Sequence, residues 1–327
     1  MKSKLIILLF CSLLWSDGVG TTAAEWLELQ TGVRAIGMGG AQVAAGRGIS
    51  SVHYNPANLG YSENDELYLN TTQYLADISH SIIGYSKKLN EFDIVGLNIF
   101  YLDSGNMYET DVEGVINEEG EGGLFKVYNF ALQGTYVRNL GDRLKAGIAV
   151  KYIREDIADM GMQGLAFDVG SSYDLGLFGI VLGSSLSNIG PEVKFSGKGL
   201  EIVDEDEPSG ILVTETDEFP LSSIFRLGLE CQLMGDDDRA IITNDLISVL
   251  IAGDAVKPLA SYFYSSIGAE ASFKNMFFVR GGMNLGHDTA DLSFGLGLKY
   301  KGLKIDYALS NYGDLGMTGQ YGIQLNF

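Results

Sequence analysis

The sequence predicts an all-β fold, a transmembrane antiparallel β-barrel of about 14 strands, and three observations lead there. The first is the last thirty-six residues, Leu292 to Phe327. Leu292, Phe294, Leu296, Leu298 and Tyr300 alternate with Ser293, Gly295, Gly297 and Lys299; Leu303, Ile305, Tyr307 and Leu309 alternate with Lys304, Asp306, Ala308 and Ser310. Tyr321, Ile323, Leu325 and Phe327 then alternate with Gln320, Gly322, Gln324 and Asn326. Successive side chains of a strand point to opposite faces, so each segment has one apolar and one polar face. A soluble antiparallel sheet gives the same pattern. An apolar-faced strand ending on an aromatic residue is an aggregation liability unless it is paired, as barrel closure would do. The second observation is that no run outside the extreme N-terminus reaches the ~18 apolar residues of a spanning helix. The third is the spacing of strands, links and prolines, taken up below.

The opening, Met1 to Ala24, carries Lys2 and Lys4, the apolar run Leu5 to Trp15 and then small residues. It reads as a secretory signal peptide over residues 1–23, cleaved between Gly20 and Ala24. Phe10 is too large to precede a lipoprotein cysteine at Cys11. Without that segment Cys231 is the sole cysteine, so an intrachain disulfide is not expected. The formal charge of −20 argues against nucleic acid, because phosphate binding needs a basic surface. The acid falls in two clusters, Glu109, Asp111, Glu113, Glu118, Glu119 and Glu121, and then Glu201, Asp204 to Glu207, Glu215, Asp217 and Glu218. Neither has the spacing of a calcium loop; both read as solvated external loops.

Residues 24–63 are rich in Gly and Ala and lack sustained alternation. They contain Gly32-Val33-Arg34-Ala35-Ile36-Gly37-Met38-Gly39-Gly40-Ala41 and end on Tyr54-Asn55-Pro56-Ala57-Asn58-Leu59. A dinucleotide loop is rejected, since no strand precedes the glycines and Gln42 stands where the third glycine belongs.

From Asp65 onward, strands are predicted at 66–74, 78–89, 92–103, 125–139, 143–155, 163–175, 178–188, 221–234, 238–251, 261–273, 276–284, 291–300, 302–310 and 317–327. With the first strand running outward from the periplasm, the long links 104–124, 156–162, 189–220, 252–260 and 285–290 all follow odd strands. Links after even strands are tight, as at Asn90-Glu91, Leu140-Gly141-Asp142, Gly176-Leu177, Gly235-Asp236-Asp237, Lys274-Asn275 and Lys301. Short periplasmic turns and long external loops characterise outer-membrane barrels. Proline cannot donate to a ladder. Pro56 precedes the strands, and Pro191, Pro208, Pro220 and Pro258 are all expected in links. Lys145, Lys151, Asp168, Arg226, Glu230 and Lys299 are expected to face the lumen, and a ring of this size needs either a plug or a channel inside it.

The N-terminal motif, the Tyr-Asn-Pro-Ala of Tyr54 to Ala57, Gly147 to Asp156, Phe225 to Leu229 and Leu292 to Tyr312 together resemble the PorV/PorQ family of outer-membrane proteins, related to the FadL-type channels for hydrophobic compounds. The closing strand, with Tyr321, Ile323, Leu325 and Phe327, is similar to the C-terminal targeting strand of such barrels. The resemblance implies that residues 24–63 form a plug inside a barrel of residues 64–327, with Arg34, Gly37, Met38, Gly39, Gly40, Asn55, Pro56 and Ala57 as its structural or gating motif. Gly and Ala suit backbone packed in a lumen, where alone irregular chain is allowed at membrane depth. Asn55-Pro56 also reads as a plain turn ending the plug.

Of the three histidines, His53 falls in the plug and His80 opens the second strand. His287-Asp288 with Asp291 could make a hydrolytic pair, yet further acidic partners at set distances would be needed. No nucleophile elbow, metal-spaced cluster or phosphate loop is present, so neither an enzyme nor a cofactor or metal is expected. The resemblance implies an accessory of type IX-like protein secretion or surface attachment, working with secretion components and cargo. Its alternative is a FadL-like passive channel for a hydrophobic small molecule, with lateral release through a kink at Gly96 or Gly105. In either case the barrel sits in outer-membrane lipid, with both termini expected on the periplasmic side.

Overall fold

The computed structural model describes residues 20–74, 78–108, 124–201, 215–236, 240–287, 289, 291–313 and 316–327. Residues 1–19 of the expected signal peptide, the acidic cluster 109–121 and Asp204 to Glu207 lie outside them. Alternation of apolar and polar residues is carried into 14 long strands. They are β1 (Glu66–Gln73), β2 (Ser79–Lys88), β3 (Asp93–Asp103), β4 (Val127–Leu140), β5 (Leu144–Ile157), β6 (Met160–Asp174) and β7 (Val181–Ile189). After them come β8 (Ile224–Gly235), β9 (Ile247–Pro258), β10 (Tyr264–Phe273), β11 (Phe277–Leu285), β12 (Leu292–Tyr300), β13 (Leu303–Asn311) and β14 (Met317–Asn326).

Each strand pairs antiparallel with its neighbours in sequence, from β1 with β2 through β13 with β14. β14 then closes on β1, with Glu66 opposite Asn326 and Gln73 opposite Gly319. Closure removes the edge that the C-terminal strand would otherwise expose, and the Phe327 N–H donates to the Asp65 carbonyl at 3.0 Å. Alternate residues along the strands are apolar and exposed on the outer wall, among them Ile83, Leu97, Ile148, Leu229, Ile267, Leu296, Ile305, Tyr321, Ile323, Leu325 and Phe327. So large an apolar surface is compatible with lipid and not with water.

The longest links, 104–126 and 190–223, follow odd strands as expected. Two expected links differ. Between β5 and β6 the chain turns in two residues, because the hairpin continues to Ile157 opposite Met160 and Ala158 takes the left-handed turn conformation, φ 48°. The strand expected at 238–251 instead runs Ile247–Pro258. Asn244 Oδ1 accepts from the Leu246 and Ile247 N–H groups at 2.9 and 2.8 Å and starts the strand there, leaving 236–246 as a long link after an even strand. Pro258, expected in a link, is therefore the last residue of β9, where a missing donor costs least. Nor does Gly96 kink β3. It pairs in register with Ser86 and Thr135, and the space beside it is taken by Ile49 and Leu59. Gly105 lies past the end of the strand. The register shifts fall between Phe167 and Val169 and between Gln232 and Met234.

The first described residues and the chain end lie at opposite mouths, unlike the expected common side. Ala23 bridges Leu221 in the 190–223 link, whereas Phe327 meets Asp65 beside the short turns.

Glycines at the inner wall make room for chain inside it. A Cβ on Gly147 would sit 2.6 Å from Ala57 N and Pro56 C, while one on Gly134, on the outer face of the adjacent strand, meets nothing within 4 Å. Gly147→Leu should therefore lower unfolding free energy in detergent by about 1–3 kcal/mol. Gly134→Leu should leave the urea midpoint unchanged.

Candidate functional site

Side chains alone can fill a barrel of about eight strands, and this ring has 14. Its inner space holds residues 23–61, most of them buried. They fold as short 3₁₀ turns (Glu25–Glu28, Ile49–Ser51 and Pro56–Tyr61) and one helical turn, α1 (Val33–Gly37). The segment starts at the long-link mouth, where Ser222 Oγ donates to the Ala24 carbonyl, and ends near the β4–β5 turn, where Asn139 Nδ2 donates to the Gly60 carbonyl.

The sequence motif divides into two anchors. Around α1, Gly37 faces Gly295, and the Gly39 N–H donates to Ser293 Oγ at 3.0 Å. Gly39 has φ 64° and a Cβ there would lie 2.6 Å from Met283 N, so it must be glycine on both counts. The Gly40 N–H donates to the Ala35 carbonyl at 2.8 Å, and Met38 is fully buried. Around the second anchor, Asn55 Oδ1 accepts from the Ala57 N–H at 3.0 Å and caps the 3₁₀ turn that Pro56 opens. Asn55 Nδ2 donates to the carbonyls of Val43 at 2.8 Å and Ser171 at 2.9 Å. These bonds make Asn55 a structural tie from the segment to β6. His53 packs edge-on to Tyr54 and beside Phe100, and burial holds its imidazole well below the ordinary range, hence neutral.

Charges complete the attachment at three points. Arg34 forks onto Glu270 at 3.0 and 2.9 Å, and its Nη1 also donates to Gln42 Oε1 and the Ala45 carbonyl. Arg280 reaches both Glu270 and Asp306, which ties β10, β11 and β13 to the same knot. Arg47 Nη2 donates to both carboxylate oxygens of Glu230 at 2.6 and 2.7 Å. Asp254 Oδ2 accepts from the backbone N–H groups of Gln42 and Val43 at 2.6 and 2.8 Å. Elsewhere Lys151 pairs with Asp168 at 2.8 Å and donates to Asn188 Oδ1, filling the inside of the β6–β7 register shift. Lys151, Asp168, Arg226 and Glu230 are thus inward as alternation predicts, and Lys145 stacks over Tyr61. Glu270 and Asp254 were not singled out from sequence. Asp254 fell in a segment read as a link, and nothing local to Glu270 reveals a partner 236 residues away.

Above the segment, at the long-link mouth, lies a cavity of about 270 Å³ whose wall includes Glu28, Gln30, Tyr262, Tyr264, His287 and Tyr312. The Tyr264 ring stands edge-on to His287 at 4.8 Å, and Tyr312 edge-on to Tyr74 at 6.2 Å. The His287 Nδ1 accepts from the Thr289 N–H, while Asp288 lies outside the described residues. Among the described residues, no group of three or more His, Cys, Asp or Glu is placed to hold a metal ion.

The sequence model for "Type IX secretion system protein PorV" matches residues 16–182, just over half of the chain. The chain belongs to the PorV family. Its fold is similar to that of the CymD monoaromatic hydrocarbon channel, with TM-score 0.61, 12% identity, and 90% of this chain and 97% of that one covered. The Pseudomonas putida toluene transporter TodX gives 0.58 at 12%, covering 90% and 96%. A Pseudomonas aeruginosa FadL homologue gives 0.56 at 11%, covering 91% and 98%. At such identities the likeness is one of fold. No curated protein matches the chain. This PorV-family chain is an outer-membrane β-barrel.

Arg34→Ala should leave Gln42 and the Ala45 carbonyl without their donor and should halve the cations on Glu270, at a cost of about 1–3 kcal/mol. The segment should then open the lumen part of the time. Single-channel recording in planar bilayers should show brief conductance bursts absent from the native barrel, and Arg34→Lys should show fewer.

Proposed function

We propose that this PorV-family barrel is a non-enzymatic accessory of type IX-like protein secretion or surface attachment. It presents a docking face at its long-link mouth while residues 24–63 act as a plug. The observation that carries the reading is the three-point charged attachment of the segment, Arg34 to Glu270, Arg47 to Glu230 and Asp254 to the Gln42 and Val43 N–H groups. Opening a passage would strand several buried charges at once, which is costly; a platform needs no opening. Link lengths support an orientation in which the mouth bearing the cavity and the long links faces outside and Phe327 faces the periplasm. Exposed Glu215, Asp217 and Glu218 on the 190–223 link give that face acidic character suited to a protein partner.

The second reading, passage of a hydrophobic small molecule, is favoured by one observation, the tyrosine-lined cavity directly above the segment. The two separate in a gene deletion. Under the accessory reading, a set of cargo proteins accumulates in the periplasm while the envelope stays intact, and the wild-type gene restores export. Unchanged export together with lost uptake of a hydrophobic compound would sink the accessory reading in favour of the channel.

A further inference from the structure

The cavity at the long-link mouth contains a group that a hydrocarbon would not need. Glu28 stands in its wall, half-buried, and among the described residues its carboxylate has no hydrogen bond and no ion pair. Burial and the neighbouring Glu25 push it up to about 7, against the opposing pull of Arg226. Three tyrosine rings, Tyr262, Tyr264 and Tyr312, line the same space, two of them braced edge-on by His287 and Tyr74. Aromatic faces attract cations, and an anion beside them adds a counter-charge. A neutral apolar ligand would bury the Glu28 carboxylate further with nothing to compensate it, whereas an ammonium group would neutralise it.

We propose that this cavity binds an organic ammonium group, a primary or quaternary amine head, with Glu28 as counter-ion and Tyr262, Tyr264 and Tyr312 as the cage. Such a head can come from a free small molecule or from a lysine side chain of a docking protein. The proposal rests on the mouth being the ligand-facing surface, as in the reading above.

The sign of the pH dependence follows from Glu28. The carboxylate is the binding form, so affinity rises as pH passes upward through about 7. The other ionisable groups facing it are Glu25 on its own turn, Arg226 on β8, and His287, Tyr262, Tyr264 and Tyr312 from the links and strands opposite.

The test uses the full mature barrel purified in detergent, titrated calorimetrically with choline, with N-acetyl-lysine methylamide, and with 3,3-dimethylbutanol, the neutral isostere of choline. At pH 8 at least one ammonium probe should bind ten-fold or more tightly than the butanol, and the tighter of the two identifies the source. The preference should fall about ten-fold between pH 8 and pH 6 and vanish in Glu28→Gln, with folding checked by heat-modifiable gel mobility. Equal binding of choline and the butanol, no binding of either ammonium probe, or an unchanged preference in E28Q would each overturn the proposal. Failure here with export still dependent on the gene removes this inference alone. Ammonium binding with export independent of the gene removes the docking reading alone.

Discussion

Fourteen strands enclose more volume than their own inward side chains can occupy, and that mismatch shapes the rest of the molecule. In lipid the ring must close, because an unpaired strand edge has no water to satisfy it. Once it closes, the interior must hold either water or more chain. Here residues 23–61 supply the chain, and the wall answers with glycines where backbone approaches backbone, as at Gly147 against Ala57 and Gly282 against Gly39.

Chain inside a lumen brings buried amides and charges that need partners. The wall provides carboxylates at matching depths: Glu270 for the Arg34 fork, Glu230 for Arg47, and Asp254 for two consecutive N–H groups. The three carboxylates sit on the consecutive strands β8, β9 and β10, so the charged attachment is concentrated on one sector of the wall. Charge-assisted bonds of this kind are stronger than neutral ones, and breaking one partner leaves the other stranded. The strength of the closure comes from this sharing. Glu270, for instance, serves both Arg34 and Arg280, and Arg280 also serves Asp306. The same closure leaves the cavity at the long-link mouth as a recess above a filled lumen.

Much of this was legible in the sequence because the strand repeat is local. Leu296 and Leu298, or Tyr321 and Ile323, announce an outward face with no knowledge of their partners, and most strand positions followed. The errors have local causes as well. The β9 boundary moved because Asn244 caps the strand start, a bond that alternation cannot see, and that shift carried Asp254 and Pro258 from link to strand. The hairpin at Ala158 looks like a loop in the sequence because polar residues near a strand end look alike in either case. At the candidate site, the glycine motif and Asn55-Pro56 stood out, but their partners did not. Gly39 meets Met283, Arg34 meets Glu270, and Glu28 shares a cavity with Tyr312, pairs set by closure of the ring and by no short-range signal.

If the barrel serves as a docking platform, its N-terminal segment stays in place throughout export. A Cβ at Gly322 on β14 would lie 2.7 Å from Val33 Cγ2, which brings cysteines at the two positions within disulfide reach. A variant with Val33→Cys, Gly322→Cys and Cys231→Ser would therefore lock α1 to the wall. In a strain lacking the native gene, the locked barrel should restore cargo export equally with and without reductant. Export that returns only after reduction would show that the segment must move, and would contradict the platform reading.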